Sequence, residues 1–301
     1  MRLREFTCLS LLLAAPGAGY AQQPAHQFTY KRTLQGPLSL VVDYPADWKA
    51  ANQRPTIVFF GGGAWMSEST DQFARQAAYF ASRGMVAIRV DYRVAALHHT
   101  EPNAAAEDAR TALRWIRVHA SDLGVDPHRL VTAGGSSGGH VAACTAQCLL
   151  DAPAGEDTTI SARPDALVLF NPLLDLVTAI RFRPGPTASP GLLGAWQALQ
   201  HFTALIADTV LQARLSPARH VARGDPPTLV FFGARDLLLI QGRAYVAAMV
   251  AASVHAELFV ADSVSHGFFN TSPWYERTLY RTDEFLASLG YLTGPPTIAK
   301  P

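Results

Sequence analysis

The sequence predicts an α/β fold in which a mostly parallel, eight-stranded sheet carries helices on both faces and a small cap segment. Three observations carry this expectation. Short apolar, β-branched runs at 56–60, 85–90, 166–170, 227–232 and 256–260 read as strands covered on both faces, since a strand with one wet face would alternate polar and apolar residues. Between several of them lie stretches with helical spacing, the pattern of βα units. The third is residues 128–143, His-Arg-Leu-Val-Thr-Ala-Gly-Gly-Ser-Ser-Gly-Gly-His-Val-Ala-Ala, which read as a short strand, a glycine-packed turn holding two serines, and the start of a helix.

A chain of 301 residues, 49% hydrophobic and 16% charged, can bury one large core, so residues 22–301 are expected to form a single domain. The formal net charge is +1, and Arg2, Arg4 and Glu5 in the leader account for it, which leaves the remainder neutral. No basic surface for nucleic acid or an anionic membrane is implied. Neither an internal repeat nor a low-complexity tract is present.

Residues 1–21 carry Arg2 and Arg4, an apolar core over 6–15, and Gly19-Tyr20-Ala21 with small residues where a signal peptidase cuts. They read as a secretory signal, too short to span a bilayer, and Gln22, Gln23 and Pro24 end any helix there. Cys8 lies inside the apolar core, which argues against a lipoprotein anchor. The expectation is export to the periplasm or outside the cell, with no membrane anchor.

Residues 27–33 and 38–44 alternate and are separated by Gln35-Gly36-Pro37, so they read as an antiparallel hairpin opening the sheet. Pro45 and Pro55 bracket a loop before the strand at 56–60. Gly61-Gly62-Gly63-Ala64-Trp65 follows directly, and glycines after a buried strand let the backbone approach a ligand with its N–H groups free. Gly61 and Gly62 are therefore candidate donors for a developing oxyanion. Residues 71–83 have helical spacing of Phe73, Ala77 and Phe80 and end at Gly84, a fitting C-cap. The strand at 85–90 runs into Asp91-Tyr92-Arg93, read as a brace, and His98 and His99 read as rim residues without metal-like spacing.

Residues 103–120 are amphipathic, with Ala106, Ala109, Leu113, Ile116 and Val118 near one face. Residues 123–127 turn the chain into the strand at 130–133, and the glycine-packed turn follows. A serine at the tip of so tight a turn projects its hydroxyl above the sheet edge, which is the layout of a nucleophile elbow. Gly-x-Ser-x-Gly is satisfied around both Ser136 and Ser137, and Ser136 is preferred because the strand ends just before Gly134. Cys144 and Cys148, four apart on the expected helix, share a face and suit a disulfide poorly, so they read as small buried residues with a disulfide as the alternative.

The strand at 166–170 ends at Asn171-Pro172. Pro184, Pro186 and Pro190 break the next segment, and a helical run over 192–211 matches no strand, so 177–215 is assigned to a cap or rim. The strand at 227–232 leads to Asp236, that at 256–260 leads to His266-Gly267, and 275–289 closes the sheet as a helix. A serine hydroxyl needs a base within reach and a third group to hold that base in the right tautomer. Ser136, Asp236 and His266, in that chain order, supply the three, with Asp175 and Asp262 as rival acids.

Residues 55–146 resemble secreted esterases of the α/β-hydrolase fold. Gly-Gly-Ser-Ser-Gly-Gly-His-Val-Ala is similar to their Gly-x-Ser-Ala-Gly-Gly-His-Leu-Ala, and Gly-Gly-Gly-Ala-Trp to their His-Gly-Gly-Gly-x-Trp, with Phe60 where that group usually has histidine. Asp91-Tyr92-Arg93 also looks like the group's segment. The resemblance is strongest to acetyl and feruloyl carbohydrate esterases and to hormone-sensitive-lipase-like carboxylesterases. It implies an α/β-hydrolase fold, Ser137 as the residue whose N–H joins the oxyanion donors, water as acyl acceptor, and no metal or cofactor. The expected substrate is a small-molecule or polysaccharide ester with a short acyl group, Trp65 stacking on a sugar ring or closing an acyl pocket. A lipase or general carboxylesterase for longer acyl chains, a serine peptidase and a non-catalytic binding module are the alternatives.

Overall fold

The computed structural model describes residues 26–187 and 189–300, so the leader expected at 1–21 lies outside the described residues. Eight strands, β1 (His26–Thr33), β2 (Gly36–Asp43), β3 (Arg54–Phe60), β4 (Val86–Val90), β5 (Val125–Gly135), β6 (Ala166–Phe170), β7 (Thr228–Gly233) and β8 (Ala256–Ala261), form one sheet in the order β1-β2-β4-β3-β5-β6-β7-β8. The hairpin β1–β2 joins the rest antiparallel through β4, and the strands from β4 to β8 are mutually parallel. The helices are α1 (Ala74–Ser82), α2 (Ala95–His98), α3 (Pro102–Val118), α4 (Ala120–Leu123), α5 (Ser137–Gln147), α6 (Leu176–Arg181), α7 (Pro190–Thr203), α8 (Thr209–Arg214), α9 (Leu239–Ala251) and α10 (Trp274–Ser288).

Alternation along the parallel strands feeds two cores. Val58 and Phe60 of β3 join Leu113 and Ile116 of α3, Val141 of α5 and Tyr245 of α9 on one face. Ile57 and Phe59 join Phe73, Phe80 of α1 and Phe285 of α10 on the other. Both faces being covered is why these strands are continuously apolar.

β3 and β5 are neighbours, with Phe60 opposite Gly134, although β4 intervenes in the chain. The chain order reverses direction across the sheet at this point, and such switch points open a crevice beyond the carboxyl ends of the strands. The glycine loop after β3 and the serine turn after β5 therefore face each other. β7 and β8 are also neighbours, with Gly233 opposite Ala261, which brings the segments holding Asp236 and His266 side by side.

Three expectations are corrected. Cys144 and Cys148 form a disulfide with Cα atoms 4.4 Å apart. The helix ends at Gln147 and Cys148 is extended (φ −74°, ψ 146°), so the pair is not held at helical spacing. Val118 is 57% exposed; two residues beyond buried Ile116 is about 200° of helical rotation, onto the wet face. The run over 192–211 is two helices, α7 and α8, the second starting at Asp208, whose carboxylate accepts from Val210 and Leu211 N–H.

Candidate active site

β5 runs straight into the serine turn. Ser136 has φ 55° and ψ −120°, a conformation that strains a residue with a side chain and that the surrounding packing must hold. Its N–H donates to the Phe170 carbonyl at 2.9 Å, and its carbonyl accepts from His140 at 3.0 Å as α5 begins. Space at the turn is closed to any side chain: a Cβ on Gly138 would lie 2.2 Å from the Phe60 carbonyl oxygen and 2.4 Å from that of Gly61.

His266 Nε2 is 2.8 Å from Ser136 Oγ, and His266 Nδ1 is 2.8 Å from Asp236 Oδ2. A carboxylate only accepts, so Nδ1 carries the proton and Nε2 accepts the serine hydroxyl. The acid side chain is 2% exposed and its other oxygen, Oδ1, accepts from Leu238 N–H at 2.9 Å. Both rival acids stand elsewhere: Asp175 caps α6 and pairs with Arg219, and Asp262 is exposed.

Asn171, fully buried at the end of β6 with φ 36°, was not singled out by the sequence. Its Oδ1 accepts from Gly267 N–H at 3.2 Å, which turns Nδ2 toward His266 Nε2 at 3.3 Å. A donor there favours the tautomer in which Nε2 is an acceptor.

The glycine loop differs from expectation by one residue. Gly61 is buried away from the cavity, its carbonyl accepting the Tyr92 hydroxyl, while Gly62, Gly63 and Ser137 line the cavity beside Ser136. Gly62 N–H donates to Gln72 Oε1 at 2.5 Å and Gly63 N–H to Ser137 Oγ at 3.1 Å. Gly63 stands where Gly61 was expected, with φ +151° and no space for a Cβ, which would fall 1.9 Å from the Ser67 carbonyl oxygen. Which glycine of the loop lines the cavity depends on the torsions of the loop, not on residue type.

Trp65 lines the cavity wall but is only 3% exposed, its ring edge-on to His140 at 5.2 Å. It cannot offer a face to a sugar ring; of the two expected roles, closing the pocket is the one its burial permits. Burial pushes His140 down to about 4, against the hydrogen bond of its Nε2 to the Leu215 carbonyl, so the ring is neutral beneath the turn.

The brace expected of Asp91-Tyr92-Arg93 is present. Arg93 makes a two-pronged pair with buried Asp108 of α3 (2.8 Å for each contact), and the Tyr92 hydroxyl holds Gly61. Glu68 lies in the same loop as the glycines, with its Oε2 buried and unpartnered among the described residues. Burial, then the neighbouring Asp91 carboxylate, push the Glu68 carboxyl up to about 8.

A cavity of about 640 Å³ opens on Ser136 and His266. Leu173, Leu199, Phe202, Leu238 and Phe269 make one side apolar; Arg235, Ser265 and Asn270 lie on an exposed side. Leu199 and Phe202 come from α7, within the segment 177–215, and line the cavity. No helix among the described residues is long and apolar enough to cross a membrane.

The sequence reading missed Gln72, Asn171 and Gly63. A polar residue in the first position after a buried strand, as Asn171 is after β6, is the one local signal that could have marked any of them.

A family profile described as alpha/beta hydrolase fold matches residues 57–270. Carboxylesterase NlhH of Mycobacterium tuberculosis is 30% identical over 225 residues, 72% of this chain and 67% of its own. The structure of Thermogutta terrifontis esterase 2 phosphonylated by sarin is 37% identical with a TM-score of 0.81, over 90% of this chain and 97% of that one. The same esterase with butyrate bound superposes with a TM-score of 0.78 at 38% identity, over 89% and 95% of the two chains.

Proposed function

The chain belongs to the alpha/beta hydrolase fold family and is a carboxylic ester hydrolase, and on that premise we propose that it is a serine esterase for short acyl groups, working through Ser136, His266 and Asp236. The observation that supports this most is the unbroken chain of two 2.8 Å hydrogen bonds from Asp236 through His266 to Ser136. Ser136 Oγ attacks the ester carbonyl as its proton passes to His266 Nε2, and Asp236 stabilises the imidazolium. The negative charge then grows on the carbonyl oxygen, facing the N–H groups of Gly62, Gly63 and Ser137 at the positive end of α5. Collapse breaks the bond to the alkoxy oxygen, which leaves as alcohol with the proton from His266. Water, deprotonated by the same nitrogen, cleaves the acyl-enzyme and regenerates Ser136.

Short acyl groups are supported by the butyrate bound in the Thermogutta esterase, and Leu173, Leu199, Phe202 and Phe269 supply apolar side chains in the cavity for such a group. A long chain would need an extended apolar trough, since each methylene is worth about 0.8 kcal/mol only when buried. Acetyl esters of carbohydrates are the proposed natural class; Arg235, Ser265 and Asn270 at the exposed side supply polar groups for sugar hydroxyls. We also propose that the protein is exported, as residues 1–21 suggest, and the Cys144–Cys148 disulfide suits an oxidising compartment.

A series of p-nitrophenyl esters tests the acyl assignment: kcat/KM should peak between acetate and butyrate and fall beyond about eight carbons. Best cleavage of decanoate or palmitate would instead favour the longer-chain reading, for which the exposed Leu193 on α7 speaks.

A further inference from the structure

Two of the proposed oxyanion donors already hold side-chain acceptors, Gly63 N–H that of Ser137 at 3.1 Å, and the shorter of the two bonds opposes the reaction most. Gly62 N–H, assigned above to the oxyanion, is already taken by Gln72 Oε1 at 2.5 Å. The donor is close to the nucleophile: a Cβ on Gly62 would lie 3.4 Å from Ser136 Cβ, and both Gly62 and Gln72 line the cavity. A side-chain carboxamide oxygen and an ester carbonyl oxygen are the same kind of acceptor, an sp2 oxygen with two lone pairs. Oε1 thus fills a position that the substrate's own oxygen needs.

We propose that Gln72 is a built-in occupant of the oxyanion site, displaced by the ester carbonyl when substrate enters, and that it sets the efficiency with which small esters bind. The proposal rests on the esterase reading above. Local structure supports a side chain that swings on a fixed backbone. Gln72 lies in a one-turn 3-10 helix (Thr70–Phe73), with its own N–H on the Ser69 carbonyl at 3.2 Å and the Asp71 N–H on Ser69 Oγ at 3.1 Å. The next residue, Phe73, is 1% exposed and stacked between Phe59 and Phe269 at 5.0 and 5.7 Å. Gln72 itself is partly exposed and, among the described residues, its side chain has no hydrogen bond other than that to Gly62. Release therefore breaks one contact, while in the empty enzyme that contact keeps the Gly62 donor paired and aimed.

The two roles open to Gln72, occupant or brace, give opposite signs when its acceptor is removed. Gln72→Leu keeps the bulk and removes the acceptor; Gln72→Glu keeps an acceptor and adds negative charge where the oxyanion forms. For an occupant, Gln72→Leu should lower KM for p-nitrophenyl butyrate and raise kcat/KM about three- to tenfold, the range of one neutral hydrogen bond. Gln72→Glu should lower kcat/KM at pH 8 by about tenfold or more. The rate of fluorophosphonate labelling should move in the same directions. A loss of kcat in Gln72→Leu, or activity at the wild-type level in Gln72→Glu, would overturn the proposal and make Gln72 a brace for the loop. Thermal unfolding checks both folds, and Gln72→Ala, which also removes the acceptor, decides the sign if Gln72→Leu does not fold. Failure of the wild type to react with the fluorophosphonate would instead defeat the esterase reading itself, so the two failures are distinguishable.

Discussion

Replacing Asp236 with asparagine changes one oxygen for an amino group and keeps the shape, yet it should remove nearly all turnover. Oδ1 accepts from the buried Leu238 N–H at 2.9 Å, so the new side chain keeps its oxygen there and turns its amino group toward His266 Nδ1, 2.8 Å away. That nitrogen must then accept, the ring proton moves to Nε2, and Nε2 faces Ser136 Oγ at 2.8 Å as a donor. A protonated Nε2 cannot take the serine proton. Flipping the amide restores the tautomer but sets two donors against each other at Leu238. The lost bond and the unpaired N–H together cost about 4 kcal/mol, and at about 1.4 kcal/mol per factor of ten this leaves on the order of one molecule in a thousand competent. Loss of the charge that stabilises the imidazolium lowers kcat further, so a fall of about a thousandfold or more is expected, with KM little changed. Stopped-flow and steady-state hydrolysis of p-nitrophenyl butyrate, with thermal unfolding as control, measures it. Retention of more than a tenth of wild-type kcat would show that Asp236 does not hold the base.

Glu68 carries the pH prediction. Its carboxyl, raised to about 8 by burial and by Asp91, stays protonated in the folded chain over a range where the unfolded chain, with a carboxyl near 4.5, has released the proton. The stability tied to this proton is therefore full below about pH 4.5 and is lost as pH rises through about 8. Urea unfolding at pH 5, 7 and 9 should show a smaller decline in Glu68→Gln than in wild type; equal declines would remove the carboxyl from the explanation. Ser137→Ala keeps the backbone donor and loses the acceptor that both braces Gly63 N–H and occupies it, so kcat should stay within about fivefold of wild type, and complete loss would show that the hydroxyl itself reacts. Gly138→Ala drives a methyl group onto the carbonyl oxygens of Phe60 and Gly61; about 3 kcal/mol or more of destabilisation, some 10 °C in Tm, is expected by calorimetry, and a wild-type Tm would mean that the turn yields freely.

The parts of the fold that could be read in the sequence are those in which one residue pattern has one structural solution. Apolar β-branched runs between Pro and Gly became β3, β4, β6, β7 and β8 because both faces are covered, and Gly-Gly-Ser-Ser-Gly-Gly permits little besides a tight turn. The chain order Ser136, Asp236, His266 was readable because each follows a recognisable strand. Other features depend on geometry that composition does not encode. That Gly63 rather than Gly61 lines the cavity follows from loop torsions, and the Cys144–Cys148 bond from the helix stopping at Gln147. Asn171 and Gln72 are neutral amides without a motif, and only the stacking of β3, β5 and β6 side by side brings them to Ser136. α9 escaped notice because its apolar residues surround the helix, leaving no stripe to count.

Reaction with a fluorophosphonate, followed by fragmentation mass spectrometry of the tryptic peptide spanning residues 130–181, tests the assignment of the nucleophile most directly. One phosphonyl group on Ser136 is expected, with labelling abolished in His266→Ala and slowed in Asp236→Asn. A label on Ser137, or equal labelling with and without His266, would contradict the mechanism.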